Sequence, residues 1–338
     1  MLGKREGLSS IKTMEQLTTY ELRNLAAAHF SALIQTPGID PFCSSLDWTL
    51  PAHAAFIPDQ SMYLLKGEHG FVTLAGGFSP EVGRYLQPLE AAWRLASPFV
   101  GRDIEDLVDE FFIHLDDPHF IDWDLLCLSG IPLEGRLYDK IIKTFVPHHK
   151  VGLGEETRRF IADISKGRQD WASKRSSKFR ANMRRVLQKS KEEDLQFEYL
   201  QPEEIQVQKL YERILSIESK SWKGMSGTGI LDGAMKKFYE KMLPRLARRN
   251  ALRVIFVTKD NKDLAFVFGG LLDKTYRGLQ MSYDNDYRHL SLGNLVQFEM
   301  IDYLSQEGIR NYDLGSELEY KTRWSDRILT TTTFWIWR

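Results

Sequence analysis

Cysteine is nearly absent from this sequence: Cys43 and Cys127 are the only two in 338 residues. Two cysteines cannot complete a zinc site unaided, and they imply no disulfide framework. Both read as small buried hydrophobes. No apolar run approaches the ~18 residues of a membrane-spanning helix. Met1 to Thr13 carries charge and no continuous apolar stretch, so no secretory leader is expected there. No period of about 20–50 residues is evident, which argues against a solenoid. The histidines, among them His53, His69, His114, His119, His148, His149 and His289, lack His-Glu-x-x-His spacing, and no metal site is expected. There is no Gly-x-Ser-x-Gly elbow and no phosphate-loop lysine motif. These absences leave a cytoplasmic globular protein with neither metalloprotease nor serine-hydrolase signatures.

Net charge is also scarce. Lys and Arg number 45 against 46 Asp and Glu, a net of −1. That average carries no signature of a nucleic-acid binder, so nucleic acid is not expected as a partner. It conceals an asymmetry, however. Between Asp40 and Lys150 seventeen acids face eight bases, and the remainder of the chain is correspondingly basic. Any site for an anion is therefore sought outside that acidic stretch.

The length suits two domains of about 150 residues each. Apolar spacing predicts a helix over Met14–Ile34, stopped by Pro37-Gly38, and a hairpin within Ser61–Leu74 around Gly67-Glu68-His69-Gly70. Gly76–Pro98 reads as loop. Ile104–Leu115 fits a helix or an extended segment equally. A strand is expected at Asp122–Leu128 and a helix at Leu133–Phe145. Arg168–Lys191 holds nine bases, with Phe179, Met183, Val186 and Leu187 at helical spacing, and reads as one amphipathic basic helix with Ser176 or Ser177 as N-cap. Strand 195–200 and helices 202–220 and 233–249 follow. The last ninety residues run strand, strand, strand, helix, strand, strand, with the helix over Leu292–Glu307. The class is α/β (α+β).

One junction carries chemistry. Tyr283-Asp284-Asn285-Asp286-Tyr287-Arg288-His289-Leu290-Ser291-Leu292-Gly293-Asn294-Leu295 joins a strand to a helix. The first helical N–H groups lack partners and the dipole favours an anion there. Gly293 permits close approach and Arg288 adds a cation. A phosphate cradle and a simply capped helix start both fit this spacing.

Arg288-x-x-Ser291-x-Gly293 after a strand resembles the pyrophosphate loop of the GNAT acyltransferase superfamily, with Ser291 where the general pattern has glycine. More narrowly, the chain resembles the CelD-like acetyltransferase branch, related to Fem-type peptidyltransferases. The matching pieces are 177–185 (Ser-Lys-Phe-Arg-Ala-Asn-Met-Arg-Arg), 218–224 (Glu-Ser-Lys-Ser-Trp-Lys-Gly), Tyr283-Asp284 with its loop, 308–315 (Gly-Ile-Arg-Asn-Tyr-Asp-Leu-Gly) and Tyr320-Lys321. The resemblance implies a tandem GNAT-like fold of two mixed-sheet lobes flanked by helices. Residues 1–160 would be a degenerate N-terminal lobe and 161–338 the acyltransferase lobe. It implies acetyl-CoA or another acyl-CoA as co-substrate, held by Gln280, Met281, Tyr283, Arg288, Ser291, Leu292, Gly293 and Asn294. It also implies a bacterial enzyme whose acceptor is the amine of a small molecule, sugar or peptide.

Amine acylation needs a base for the attacking nitrogen and an acid for the leaving thiolate. Glu218, Asp284 and Asp313 are candidate bases and Tyr320 a candidate acid. A solvated helix charge at Glu218, a turn aspartate at Asp284, and an ion pair of Asp313 with Lys321 or Arg323 are the structural readings of the three carboxylates. Trp222, Lys223, Lys321 and Arg180 are candidate substrate contacts. A Fem-type transferase using aminoacyl-tRNA, and a non-catalytic ligand-binding module, remain as alternative readings.

Overall fold

The computed structural model describes residues 14–338 apart from 91, 92, 118, 119, 121 and 317. Met1–Thr13 and His119, which enter the reading above, lie outside the described residues. Two compact units divide the chain. One runs to Thr157 and takes back Thr330–Arg338; the other is Arg158–Leu329. The last nine residues thus pack with the first unit, where a division at residue 160 gives them to the second. Among the described residues, no helix is long and apolar enough to cross a membrane.

The first unit begins with β1 (Glu15–Leu17), α1 (Thr19–Asn24) and α2 (Ala26–Gln35) rather than one helix over 14–34. Thr18 explains the break: its hydroxyl accepts from Glu21 N and the Glu21 carboxylate accepts from Thr18 N, a capping box that starts a helix at residue 19. Then come α3 (Leu46–Phe56), β2 (Ser61–Lys66), β3 (Phe71–Ser79), β4 (Gly83–Pro88), β5 (Phe99–Val100), α4 (Ile104–Leu115), β6 (Leu125–Pro132), α5 (Arg136–Phe145) and β7 (Lys150–Leu153). The segment expected to be loop therefore contains β4, and Ile104–Leu115 is helical. Strands β1 to β4 pair antiparallel in order. The register then turns parallel, with Tyr85 beside Leu125 and Leu86 beside Leu126. The C-terminal strand pairs antiparallel with β6 and β7 through its residues Thr331–Trp337.

The second unit runs β8 (Thr157–Asp163), α6 (Gly167–Ser173), α7 (Ser177–Glu192), β9 (Gln196–Leu200), α8 (Val207–Glu218), α9 (Trp222–Met225), α10 (Gly233–Arg248), β10 (Leu252–Lys259), β11 (Lys262–Leu272), β12 (Thr275–Tyr283), α11 (Leu292–Gln306), β13 (Asn311–Ser316) and the start of β14 (Arg327–Trp337). The basic stretch is two helices, not one. Ser176 accepts from Phe179 N at 3.2 Å and restarts the chain as α7. Strands β9 to β12 pair antiparallel, β12 meets β13 in parallel, and β13 meets β8 antiparallel. Leu292, Leu295, Val296, Met300, Ile301 and Leu304 cover one face of this sheet from α11, as their spacing predicts. Trp171 stacks on Trp324 at 5.3 Å and joins the same core.

Candidate functional site

The parallel step is short. β12 and β13 pair only at Thr275–Asn311, Tyr276–Tyr312 and Arg277–Asp313. Beyond Arg277, β12 keeps its antiparallel partner β11 but no parallel one. Two local features accompany the parting. Phe268 faces Gln280 while Gly269 faces Gly278, so Leu279 is one residue extra and β12 bulges there. At Gly278 an added Cβ would lie 2.8 Å from the Tyr312 ring, so only glycine lets that ring pack across the gap.

A cavity of about 720 Å³ opens at the parting. Main chain and side chains of Gly278–Tyr283 form one wall. Arg288, Ser291, Gly293, Asn294 and Gln297 form a second, from the start of α11. Phe179 and Asn182 close it from α7, and Trp222 and Lys223 from α9. Tyr312 and Leu314 of β13 complete it, with Leu318, Tyr320, Lys321, Arg323 and Trp324 beyond.

At one end the cavity meets the start of α11. Ser291, the N-cap of α11, has φ 56° and ψ 38°, a left-handed conformation. Glycine adopts it freely and serine does not. Ser291 therefore carries backbone strain that a glycine at this position would not. Ser291→Gly is expected to raise stability by up to about 1 kcal/mol, read as a higher Tm in thermal unfolding. Gly293 sits close to the strand: a Cβ there would meet the Met281 methyl at 3.3 Å.

The other end is polar and buried. Lys223 Nζ donates to Met281 O at 2.8 Å and to Gln280 Oε1 at 3.0 Å, with Glu218 Oε1 3.9 Å away. Burial lowers the Lys223 pKa, and the Glu218 carboxylate opposes that shift. Glu218 is 0 % exposed. Ser221 Oγ donates to its Oε2 at 3.3 Å, while its Oε1 has no hydrogen-bond partner. It is therefore a buried member of this pair and not a solvated helix charge. Lys321 Nζ donates to Ser316 O at 2.6 Å. Burial pushes its pKa down to about 8; the Arg277 guanidinium adds to the shift and Asp313 opposes it. Burial raises the Tyr320 pKa, keeping the phenol protonated.

Asp313 pairs with neither Lys321 nor Arg323. Its Oδ2 accepts from Arg159 at 2.5 Å and Arg277 at 2.8 Å, and its Oδ1 from Gly315 N at 2.8 Å. Burial alone would raise its pKa, but the two guanidiniums and the amide outweigh that and hold it low. Both arginines lie far away in sequence, on β8 and β12, so spacing gave no sign of them.

A family model described as an acetyltransferase (GNAT) domain matches residues 177–322. That span opens at the first residue of α7 and ends just beyond Lys321. This matched span, less than half of the chain, is similar to a GNAT-type acetyltransferase domain. Three solved structures share the fold over nearly the whole chain. FemX is 11 % identical with a TM-score of 0.64, over 94 % of this chain and 97 % of its own. A conserved protein of unknown function from Bacteroides thetaiotaomicron is 11 % identical, TM-score 0.62, over 96 % and 99 %. L-PGS from Bacillus licheniformis is 11 % identical, TM-score 0.56, over 97 % and 94 %. No curated protein matches the chain.

Within the matched span the expected contacts divide. Gln280, Met281, Tyr283, Arg288, Ser291, Gly293, Asn294, Trp222, Lys223, Tyr320 and Lys321 all line the cavity. Leu292 is wholly buried in the core. Glu218 lies behind Lys223. Asp284 is off the wall: its Oδ1 accepts from Asp286 N at 3.1 Å and caps the short 3-10 helix Asn285–Leu290. Arg180 donates to the carbonyls of Ser173 and Arg175 at the end of α6. Gln297 and Leu318 line the cavity although no motif held them, and Asn182 and Tyr312 line it from within motifs that did not single them out. Two buried polar groups on its wall, Gln297 Nε2 and Ser282 Oγ, have no hydrogen-bond partner.

Proposed function

We propose that the GNAT domain transfers an acyl group, acetyl in the simplest case, from acyl-coenzyme A to the amine of a small molecule, sugar or peptide. The observation that carries this reading is the open edge of β12. Past Arg277 its main chain borders a cavity with a helix start at one end and buried titrating side chains at the other. The donor's extended amide arm would lie along that edge. Its phosphates would meet Arg288 and the first N–H groups of α11.

The amine nitrogen attacks the thioester carbon, the N–C bond forms and the C–S bond breaks. Main-chain N–H groups of the open edge and the Lys223 ammonium receive the charge that develops on the carbonyl oxygen. Lys321, easily neutral with a pKa of about 8, takes the proton from the attacking amine. Tyr320 donates to the departing thiolate. Glu218 holds Lys223 in place. Trp222, 56 % exposed at the cavity mouth, offers the acceptor a flat apolar surface. A cytoplasmic setting, where acyl-CoA is made and used, accords with this chemistry.

The first unit reads as a degenerate copy of the second. It repeats four antiparallel strands, a helix and a parallel step, but its own chain occupies the parting. Ser129 Oγ donates to Ala96 O at 3.0 Å, and a Cβ at Gly130 would lie 2.5 Å from Ala96 C. One donor site per chain is therefore expected. Calorimetric titration with acetyl-CoA and longer acyl-CoAs tests this: saturable binding of one equivalent is the expected result, and no binding to any of them overturns the reading.

One observation favours a second donor. Lys178, Arg184, Arg185 and Lys191 of α7 are exposed, on the helix whose Asn182 lines the cavity. A charged tRNA would meet those bases. Its affinity would then fall steeply as salt rises, which filter binding across a salt series would register.

A further inference from the structure

The wall that α11 presents to the cavity holds one side chain that the fold itself does not explain. Gln297 is 4 % exposed and lines the cavity, and its amide nitrogen has no hydrogen-bond partner. It stands four residues after Gly293, and side chains at i and i+4 share a helix face. Its helical neighbours Leu292, Leu295, Val296, Met300 and Ile301 are buried hydrocarbon. A leucine at 297 would pack among them at no polar cost. A buried amide without a partner destabilises the protein, and such groups are rare unless something supplies the missing bond.

We propose that Gln297 is a specificity-determining contact for the acyl donor, donating a hydrogen bond to an uncharged oxygen of the ligand. The helix rises ~1.5 Å per residue, so Gln297 lies about 6 Å along the axis from Gly293. A ligand anchored by its anion at the helix start would therefore carry an amide carbonyl or hydroxyl oxygen one turn deeper, beside the open edge of β12. Arg288 and the helix start select for charge; Gln297 selects for the neutral polar arm that follows it. The proposal rests on this cavity being the donor site.

The experiment compares wild type, Gln297→Leu and Gln297→Glu by steady-state kinetics with acetyl-CoA and by ligand-free thermal unfolding. Gln297→Leu is expected to raise the KM for acetyl-CoA about tenfold, the loss of one hydrogen bond to a buried donor, with kcat within twofold. Its ligand-free Tm is expected to equal or exceed that of wild type, because an unmet buried donor has been removed. Gln297→Glu keeps the length and removes the donor, and should weaken the donor at least as much. An unchanged KM in both variants overturns the proposal, and so does a lower ligand-free Tm in Gln297→Leu, which would make Gln297 a packing residue. If the wild type binds no acyl-CoA, the donor assignment fails instead. The ligand-free Tm then decides alone whether Gln297 awaits a ligand.

Discussion

Asp313→Ala is expected to destabilise the second unit by about 3–5 kcal/mol, the usual cost of removing one partner from a buried ion pair. For a unit of this size that is a fall in Tm of about 10 °C. The carboxylate is 2 % exposed and sits between Arg159 of β8 and Arg277 of β12. Removing it leaves two buried guanidiniums facing each other without their shared anion. Arg277 also marks the last residue pair before the strands part, so the ion pair is built into the hinge of the cavity. Asp313→Asn keeps the shape and one acceptor, and should lose somewhat less. A catalytic base behaves otherwise: Asp313→Asn would abolish turnover while the protein melted at its usual temperature. Thermal unfolding beside turnover measured well below Tm separates the two. A large Tm loss with activity retained in the folded fraction supports the ion-pair reading, and an unshifted Tm with no turnover would sink it.

The second unit's fold was legible because its signals are local. Alternating apolar residues over 252–283 and the broad apolar face of 292–304 fix three strands and a helix from spacing alone. Arg288, Ser291 and Gly293 were legible together at the cavity's edge for the same reason: a helix start needs few residues, close in sequence. What spacing could not reach was pairing across the fold. Asp313 looked toward Lys321 and Arg323, eight and ten residues away, yet its cations come from two other strands. Glu218 sits at a helix end and reads as a surface charge, but a glycine-rich loop covers it so closely that a Cβ at Gly229 would clash with its carboxylate. Gln297 lies within an apolar helix where nothing local sets it apart. Its missing partner is visible only once the cavity exists. The first unit was harder to read because Thr18 and Glu21 overrule helical spacing at its start, and β4 is hidden in a stretch rich in glycine and proline.

Lys321→Met is expected to lower kcat/KM by about 10²–10⁴, the range that general acid–base groups contribute. Of the titrating groups on the cavity wall, Lys321 has a pKa of about 8, set by burial and by Arg277. If the neutral amine accepts the proton, the wild-type rate should climb as pH rises through about 8 and level off above it. Lys321→Met should remove that climb. An acceptor whose own amine titrates far from pH 8 keeps the two ionisations apart. Lys321→Arg is the sharper variant, because a guanidinium keeps the charge but cannot become neutral in this range. It should be as slow as methionine; if it retains wild-type rate, Lys321 acts as a fixed cation and the base role falls. Stability moves the opposite way. The folded-state pKa lies below the ordinary 10.5, so the folded chain holds this proton less tightly than the unfolded chain does. The charged lysine therefore costs stability fully below pH 8, and the cost fades as pH rises toward 10.5. Below pH 8, Lys321→Met should then melt higher than wild type while turning over far more slowly. A residue kept for packing cannot produce that pair of results.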